Sequence, residues 1–147
     1  MRVVIGSDHA GFPMKADILN CIRELGHEVI DVGCYDERPV DFPDIARQVG
    51  QSISKGSADR GILVCGTGVG ASIAANKIKG IRSAVCHDYH SAHQSVEHDD
   101  VNVMCIGAQI VGAWLARDLV AAYLSASFSA DPDCRRRVAK LVDMEKS

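Results

Sequence analysis

The sequence has no C-x-x-C pair, no apolar run of membrane-spanning length, no excess of positive charge, and no internal repeat or low-complexity tract. Each absence removes a class of function. Lys plus Arg number 16 against 19 Asp plus Glu, a net charge of −3, which leaves no electrostatic footprint for nucleic acid or an anionic membrane. The apolar runs are too short to cross a bilayer. Six cysteines (Cys21, Cys34, Cys65, Cys86, Cys105 and Cys134) are scattered without metal-ligand spacing, and no leader-like segment opens the chain. Reduced thiols and a cytoplasmic location are expected, with most of the cysteines acting as small core residues.

What is present fits one α/β domain spanning residues 1–147, at 47% apolar and 24% charged residues. Short apolar runs at 3–6, 28–32, 61–65, 82–86 and 103–107 read as strands. Helical patterns fall between them, at 12–25, 41–55, 69–79, 87–98 and 111–125, with a last helix within 131–147. Gly26 supplies a C-terminal stop for the first helix, and Pro43 fits the first turn of the second, where no amide donor is needed. Val138, Leu141 and Val142 share a face of the last helix. Five alternations of apolar strand and helix predict a three-layer α/β/α sandwich around a five-stranded, parallel, Rossmann-like sheet. The C-terminal helix is expected to reach a partner subunit. Ligands of such sheets bind outside the carboxyl ends of the strands, so Asp8-His9, Cys65 to Gly68 and His87-Asp88 are expected on one rim.

The stretch Gly61-Ile-Leu-Val-Cys65-Gly66-Thr67-Gly68-Val69-Gly70 organises that rim. A strand feeds a glycine-rich turn into a helix N-terminus, where free N–H groups and the helix dipole favour anions and developing oxyanions. Cys65 stands at the mouth of that loop, and such a position favours the reactive thiolate. Gly66-x-Gly68-x-x-Ala71 with Asp88 also satisfies a relaxed dinucleotide fingerprint, a weak match, while the missing Gly-Lys-Ser/Thr excludes a Walker A loop. His90 and His93 share a helix face but lack a metal-binding framework, so a solvated polar helix is the better reading and no metal is expected. His98 precedes the fifth strand and can present an imidazole for proton transfer. Asp8-His9 either caps the first helix or touches a substrate hydroxyl, and Arg135 to Arg137 form either a solvated face or a phosphate clamp.

Gly6-Ser7-Asp8-His9-Ala10-Gly11-Phe12, Asp41-Phe42-Pro43-Asp44, Cys65 to Gly70, Ala74-Ala75-Asn76-Lys77, Gly80-Ile81-Arg82 and His98 to Val103 together resemble the ribose-5-phosphate isomerase B family. That family includes the galactose-6-phosphate and allose-6-phosphate isomerases. The resemblance runs from residue 1 to about residue 125. It implies a cofactor-free aldose–ketose isomerase acting on a small phosphorylated sugar, with ribose 5-phosphate to ribulose 5-phosphate as the expected reaction. Cys65 would move a proton between C1 and C2 through a cis-enediolate. The N–H groups of Gly66, Gly68 and Gly70 would hold the enediolate oxygens, as an oxyanion hole does. Thr67 would orient a ring oxygen or hydroxyl, His98 would assist ring opening, and Asp8 and His9 would contact hydroxyls or phosphate. Further substrate contacts are implied for Val69, Ser72, Asp99, Gln109, Arg136 and Arg137. The resemblance also implies a homodimer or tetramer in which His98 and the phosphate-binding arginines come from the partner chain.

Three positions depart from the family pattern. Asp99 replaces the usual Asn after the histidine, Gly107-Ala108-Gln109 replaces Gly-x-Arg, and Asp131-Pro132-Asp133-Cys134 replaces a Gly-Gly-Arg-His element. Each charge-assisted hydrogen bond lost at a phosphate site costs on the order of 1.5–3 kcal/mol. A four-carbon tetrulose phosphate, a six-carbon sugar phosphate or a free sugar are therefore the alternative substrates. Outside this chemistry, the remaining reading is a nucleotide-binding module without catalysis.

Overall fold

The computed structural model describes residues 1–147. The elements run β1 (Arg2–Ser7), α1 (Phe12–Glu24), β2 (Glu28–Asp31), α2 (Phe42–Ser54), β3 (Arg60–Cys65), α3 (Val69–Asn76), β4 (Ser83–Val85), α4 (Tyr89–Asp99), β5 (Val103–Gly107), α5 (Ala113–Ser125) and α6 (Pro132–Met144). The five strands form one sheet in the order β2-β1-β3-β5-β4, every pair parallel. The expected α/β architecture is therefore the one that forms. None of the helices is long and apolar enough to cross a membrane.

Side chains alternate across the sheet, and this alternation builds two cores. Val3, Ile5, Ile62, Val64, Met104 and Ile106 meet Ile18, Ile22, Val96, Leu119 and Tyr123 beneath α1, α4 and α5. Val4, Leu63, Cys65, Val103 and Cys105 meet Ile45, Val49, Ala71 and Ala75 beneath α2 and α3. The central strands β1, β3 and β5 are buried on both faces, which explains their unbroken apolar runs. β2 lies at an edge and differs: Glu28 and Ile30 are exposed.

Several boundaries fall a few residues from their expected places, and three helix ends have a clear local cause. α3 stops at Asn76 because the Asn76 side chain turns the chain into β4, accepting from the Ser83 N–H at 2.8 Å and donating to the Ser83 carbonyl at 2.9 Å. α5 starts at Ala113, because Ile110 and Val111 first bond back to the Gly107 carbonyl in a turn. α6 starts at Pro132, where the Asp131 carboxylate accepts from the N–H groups of Asp133 and Cys134.

One cation ties the entry of β3 to the end of α5. The Arg60 guanidinium donates to the carbonyls of Tyr123 at 2.6 Å and Ala126 at 2.7 Å, and lies 5.5 Å from the Tyr123 ring centroid. Carbonyls at a helix C-terminus lack intrahelical donors, and a positive group there also complements the dipole. Arg60→Met is expected to lower unfolding free energy by about 1.5–3 kcal/mol, the worth of hydrogen bonds from a charged donor. Urea denaturation checks this, with an unchanged slope if the denatured state is unaffected.

Candidate active site

β1 turns to β2 on one side while β3 lies on its other side, so a crevice opens between the exits of β1 and β3. Ser7 is in register with Val64, and Cys65 with Gly107. Backbone bonds then weld the exits together: Asp8 N–H to the Val64 carbonyl at 3.2 Å, Ala108 N–H to that of Cys65 at 2.8 Å, and Gln109 N–H to that of Gly66 at 3.0 Å. Asp8-His9, the Cys65 loop and Gln109 thus share the expected rim. His87 joins them, its Nε2 accepting the Gly107 N–H at 2.9 Å. Asp88 does not take the ribose-binding role of a dinucleotide site. Its carboxylate caps α4, accepting from the Ser91 N–H at 2.7 Å and hydroxyl at 2.8 Å, bonds that hold its pKa below the usual carboxylate value.

Cys65 faces the α2/α3 side of the sheet at the start of the loop and is buried. Its Sγ accepts the Gly68 N–H at 2.9 Å, and Thr67 Oγ1 accepts the Val69 N–H at 3.3 Å. Gly68 has φ of +83°, a left-handed conformation that glycine adopts without strain. The other loop glycines are needed for close approach. A Cβ at Gly66 would lie 3.1 Å from Gln109 Oε1, and one at Gly70 would lie 2.7 Å from the Phe42 ring. The amide of Gln109 therefore overhangs this loop, and Phe42 walls its far side. α3 follows with its N-terminus at the loop, so N–H groups and the positive end of its dipole gather beside the sulfur.

Asp8 both shapes the turn before α1 and borders a cleft. One carboxylate oxygen accepts the Gly11 N–H at 2.9 Å, closing the turn into α1, and the residue also lines an open cleft of about 440 Å³. His9 lines the same cleft with Val40, Phe42 and Asp44. His9 Nδ1 accepts the Val40 N–H at 3.2 Å, so the neutral ring carries its proton on Nε2.

Other residues assigned to the site lie elsewhere in this chain. α4 runs back across the sheet, and His98 and Asp99 occupy its last turn, just before the entry of β5. β5 alone places them about 13 Å or more from the rim, at roughly 3.3 Å per residue. His98 therefore cannot present its imidazole to Cys65 of the same chain, contrary to its proximity in sequence to the fifth strand. Asp99 instead borders a second cavity of about 390 Å³ with Arg82, Ser83, Leu141 and Met144. Arg136 and Arg137 are exposed on α6, which packs against α4. Arg136 pairs with Asp133 at 2.5 Å and Arg135 lies 4.8 Å from the Phe128 ring centroid, whereas Arg137 has no ion-pair partner. Ser72 is turned toward the sheet, its Oγ 3.3 Å from that of Ser83, below the level of Cys65 rather than at the rim.

With this geometry in hand, the relatives are informative. Residues 3–141 match the family model described as Ribose/Galactose Isomerase. The chain belongs to that family. It is 45% identical over 127 residues to ribose-5-phosphate isomerase B of Escherichia coli, covering 86% of this chain and 85% of that one. It is 39% identical to D-erythrulose-4-phosphate isomerase 2 of Mycolicibacterium smegmatis, covering 87% and 86% of the two chains. Its fold superposes on ribose-5-phosphate isomerase B of Clostridium thermocellum with a TM-score of 0.96 and 43% identity, covering 99% and 98%. The chain is thus a sugar-phosphate isomerase by family, an aldose–ketose isomerase with a Rossmann-like sheet.

His87 stands at the rim where its strand exit puts it in the sequence, whereas Phe42 is not singled out by the sequence as part of the site. Phe42 carries no polar group, and only the fold shows its ring against Gly70. The cysteines divide as expected of core and rim. Burial raises the thiol pKa of Cys21 and Cys86 and pushes Cys105 up to about 12. An unfolded Cys105 ionises near 9.0, so above that pH the unfolded chain releases a proton that the native chain keeps. Stability is therefore expected to fall as pH rises from 9.0 toward about 12, and Cys105→Ala to flatten that fall. Denaturant midpoints measured across this range check it.

Proposed function

We propose that this isomerase converts ribose 5-phosphate to ribulose 5-phosphate, with Cys65 as the proton-transferring base. The observation that carries the reading is the Cys65 Sγ held at 2.9 Å by the Gly68 N–H, at the rim shared with Asp8 and His9. A backbone N–H on the sulfur and a helix N-terminus beside it are the setting of a reactive cysteine. The thiolate takes the proton from C2 of the open-chain aldose. The C–H electron pair then forms the C1–C2 double bond of a cis-enediolate, and the C1 carbonyl oxygen gains the negative charge. The N–H groups of Gly66 and Gly70 face that charge, where preorganised donors lower the barrier most, while the Gly68 N–H is given to the sulfur. Protonation at C1 and loss of the hydroxyl proton at C2 yield the ketose. Carbon oxidation at C2 balances reduction at C1, so no external oxidant or reductant enters.

Within this reading Thr67 orients a substrate oxygen, while Asp8 and the Nε2–H of His9 bind hydroxyls in the cleft. Ring opening needs an acid, the role the resemblance implies for His98, which lies away from the rim of its own chain. A homodimer, or a tetramer of such dimers, supplies it: His98 of the partner subunit reaches across, with Asp99 beside it. Arg137 of the partner subunit takes the phosphate, because Arg136 is engaged by Asp133. In the same assembly α6 lies toward the partner.

A second substrate is favoured by two observations. The side chain overhanging Gly66 is the neutral Gln109, and one of the two candidate phosphate cations is already paired. A shorter tetrulose 4-phosphate, which needs fewer distal cations, is the alternative. Initial rates across phosphorylated and free sugars of four to six carbons separate the two. The expected result is the highest kcat/KM for ribose 5-phosphate; a higher value for the four-carbon ketose would transfer the assignment. Cys65→Ala is expected to lower kcat by about 10²–10⁴, the usual worth of a positioned acid–base group, with little change in Tm. Retained turnover would leave the thiol structural.

A further inference from the structure

Lys15 is the only lysine or arginine among the buried residues, and nothing in the proton-transfer chemistry uses it. A buried ammonium is costly unless it is fully paired, so its partners show what it holds in place. Its Nζ donates to Asp31 Oδ1 at 2.9 Å and to the carbonyl of Cys34, and it lies 4.9 Å from the Tyr35 ring centroid and 5.5 Å from that of Phe12. Asp31 Oδ1 also accepts the Gly33 N–H at 2.9 Å, and the Tyr35 hydroxyl donates to the Asp31 carbonyl at 3.0 Å. Residues 31–35 are therefore gathered around one positive charge.

That gathered segment lies against the last residue of β1. Ser7 N–H donates to the Gly33 carbonyl at 2.6 Å and Cys34 N–H to the Ser7 carbonyl at 2.7 Å, immediately before Asp8-His9. The same loop ends at Val40, whose N–H donates to His9 Nδ1 at 3.2 Å. The loop is thus pinned at its start by the ammonium and at its end by the imidazole. The Val40 N–H fixes both the ring orientation and the tautomer, leaving Nε2–H as the donor to the cleft.

We propose that Lys15 is a positioning residue for His9, acting through the 33–40 loop to present the Nε2–H to a substrate hydroxyl or phosphate oxygen. The substrate part of this inference rests on the reading of the cleft as a sugar-phosphate site; the positioning part does not. Lys15→Met keeps the length and apolar stem while removing the charge. In the substrate-free protein, ¹⁵N spectra of the His9 ring are expected to show the Nε2–H tautomer in the wild type and a mixture of tautomers in the variant, with loss of amide protection at Val40. In turnover, KM is expected to rise about tenfold or more while kcat changes less, because binding rather than proton transfer is disturbed. If Lys15→Met does not fold, Lys15→Gln removes the charge while keeping one donor, and it is read in the same way. Unchanged imidazole spectra and unchanged KM, with only a lower Tm, would overturn the proposal and leave Lys15 a packing residue. An inactive wild-type protein with the expected change in spectra would instead overturn the functional reading and leave the positioning role standing.

Discussion

Every strand of this protein leaves the sheet at the same end, and that constraint divides its chemistry in two. A parallel sheet requires each helix to carry the chain back to the opposite edge before the next strand begins. Cys65, Asp8, His9 and Gln109 follow strand exits and meet at one rim. His98 and Asp99 end a return helix, and the cations of α6 pack beside it, so they gather at the other end. A sheet strand is too rigid and too long for these groups to meet within one chain. In the proposed homodimer, symmetric pairing of two chains would bring the halves together twice, as an isologous interface does.

At the rim the decisive feature is small. A left-handed glycine turns its N–H onto the cysteine sulfur and starts a helix in the same step. The Cys65 sulfur thereby receives a backbone N–H, whereas that of Cys105, in the same core, lies near the Ser83 hydroxyl. The surrounding glycines leave room for Phe42 and Gln109, so the loop's shape and the wall that closes it depend on each other.

Much of this was legible because it is local. Unbroken apolar runs marked the interior strands, and Pro43, Gly26 and the strand–Cys–glycine-loop–helix sequence marked boundaries and the candidate site. What was not legible depends on distant partners. The insertion of β5 between β3 and β4 is a pairing choice that no local period encodes. Asp88 fitted the ribose position of a relaxed dinucleotide fingerprint, and its bonds to Ser91 make it a helix cap. His98 precedes a strand in sequence, but it precedes the entry and not the exit. Lys15 reads as an ordinary helix lysine until Asp31 and Cys34 are seen beside it. Ser72, for which the resemblance implies a substrate contact, turns its hydroxyl to that of Ser83 in this chain.

Subunit complementation tests the division of the site most directly. Cys65→Ala and His98→Asn chains, each inactive alone, are unfolded, mixed in equal amounts and refolded together. If the site is built from Cys65 of one chain and His98 of the other, random pairing restores about a quarter of wild-type activity, because half the dimers are mixed and each has one intact site. Mixtures that stay as inactive as the separate variants, although mixed dimers form, would contradict a site shared between subunits.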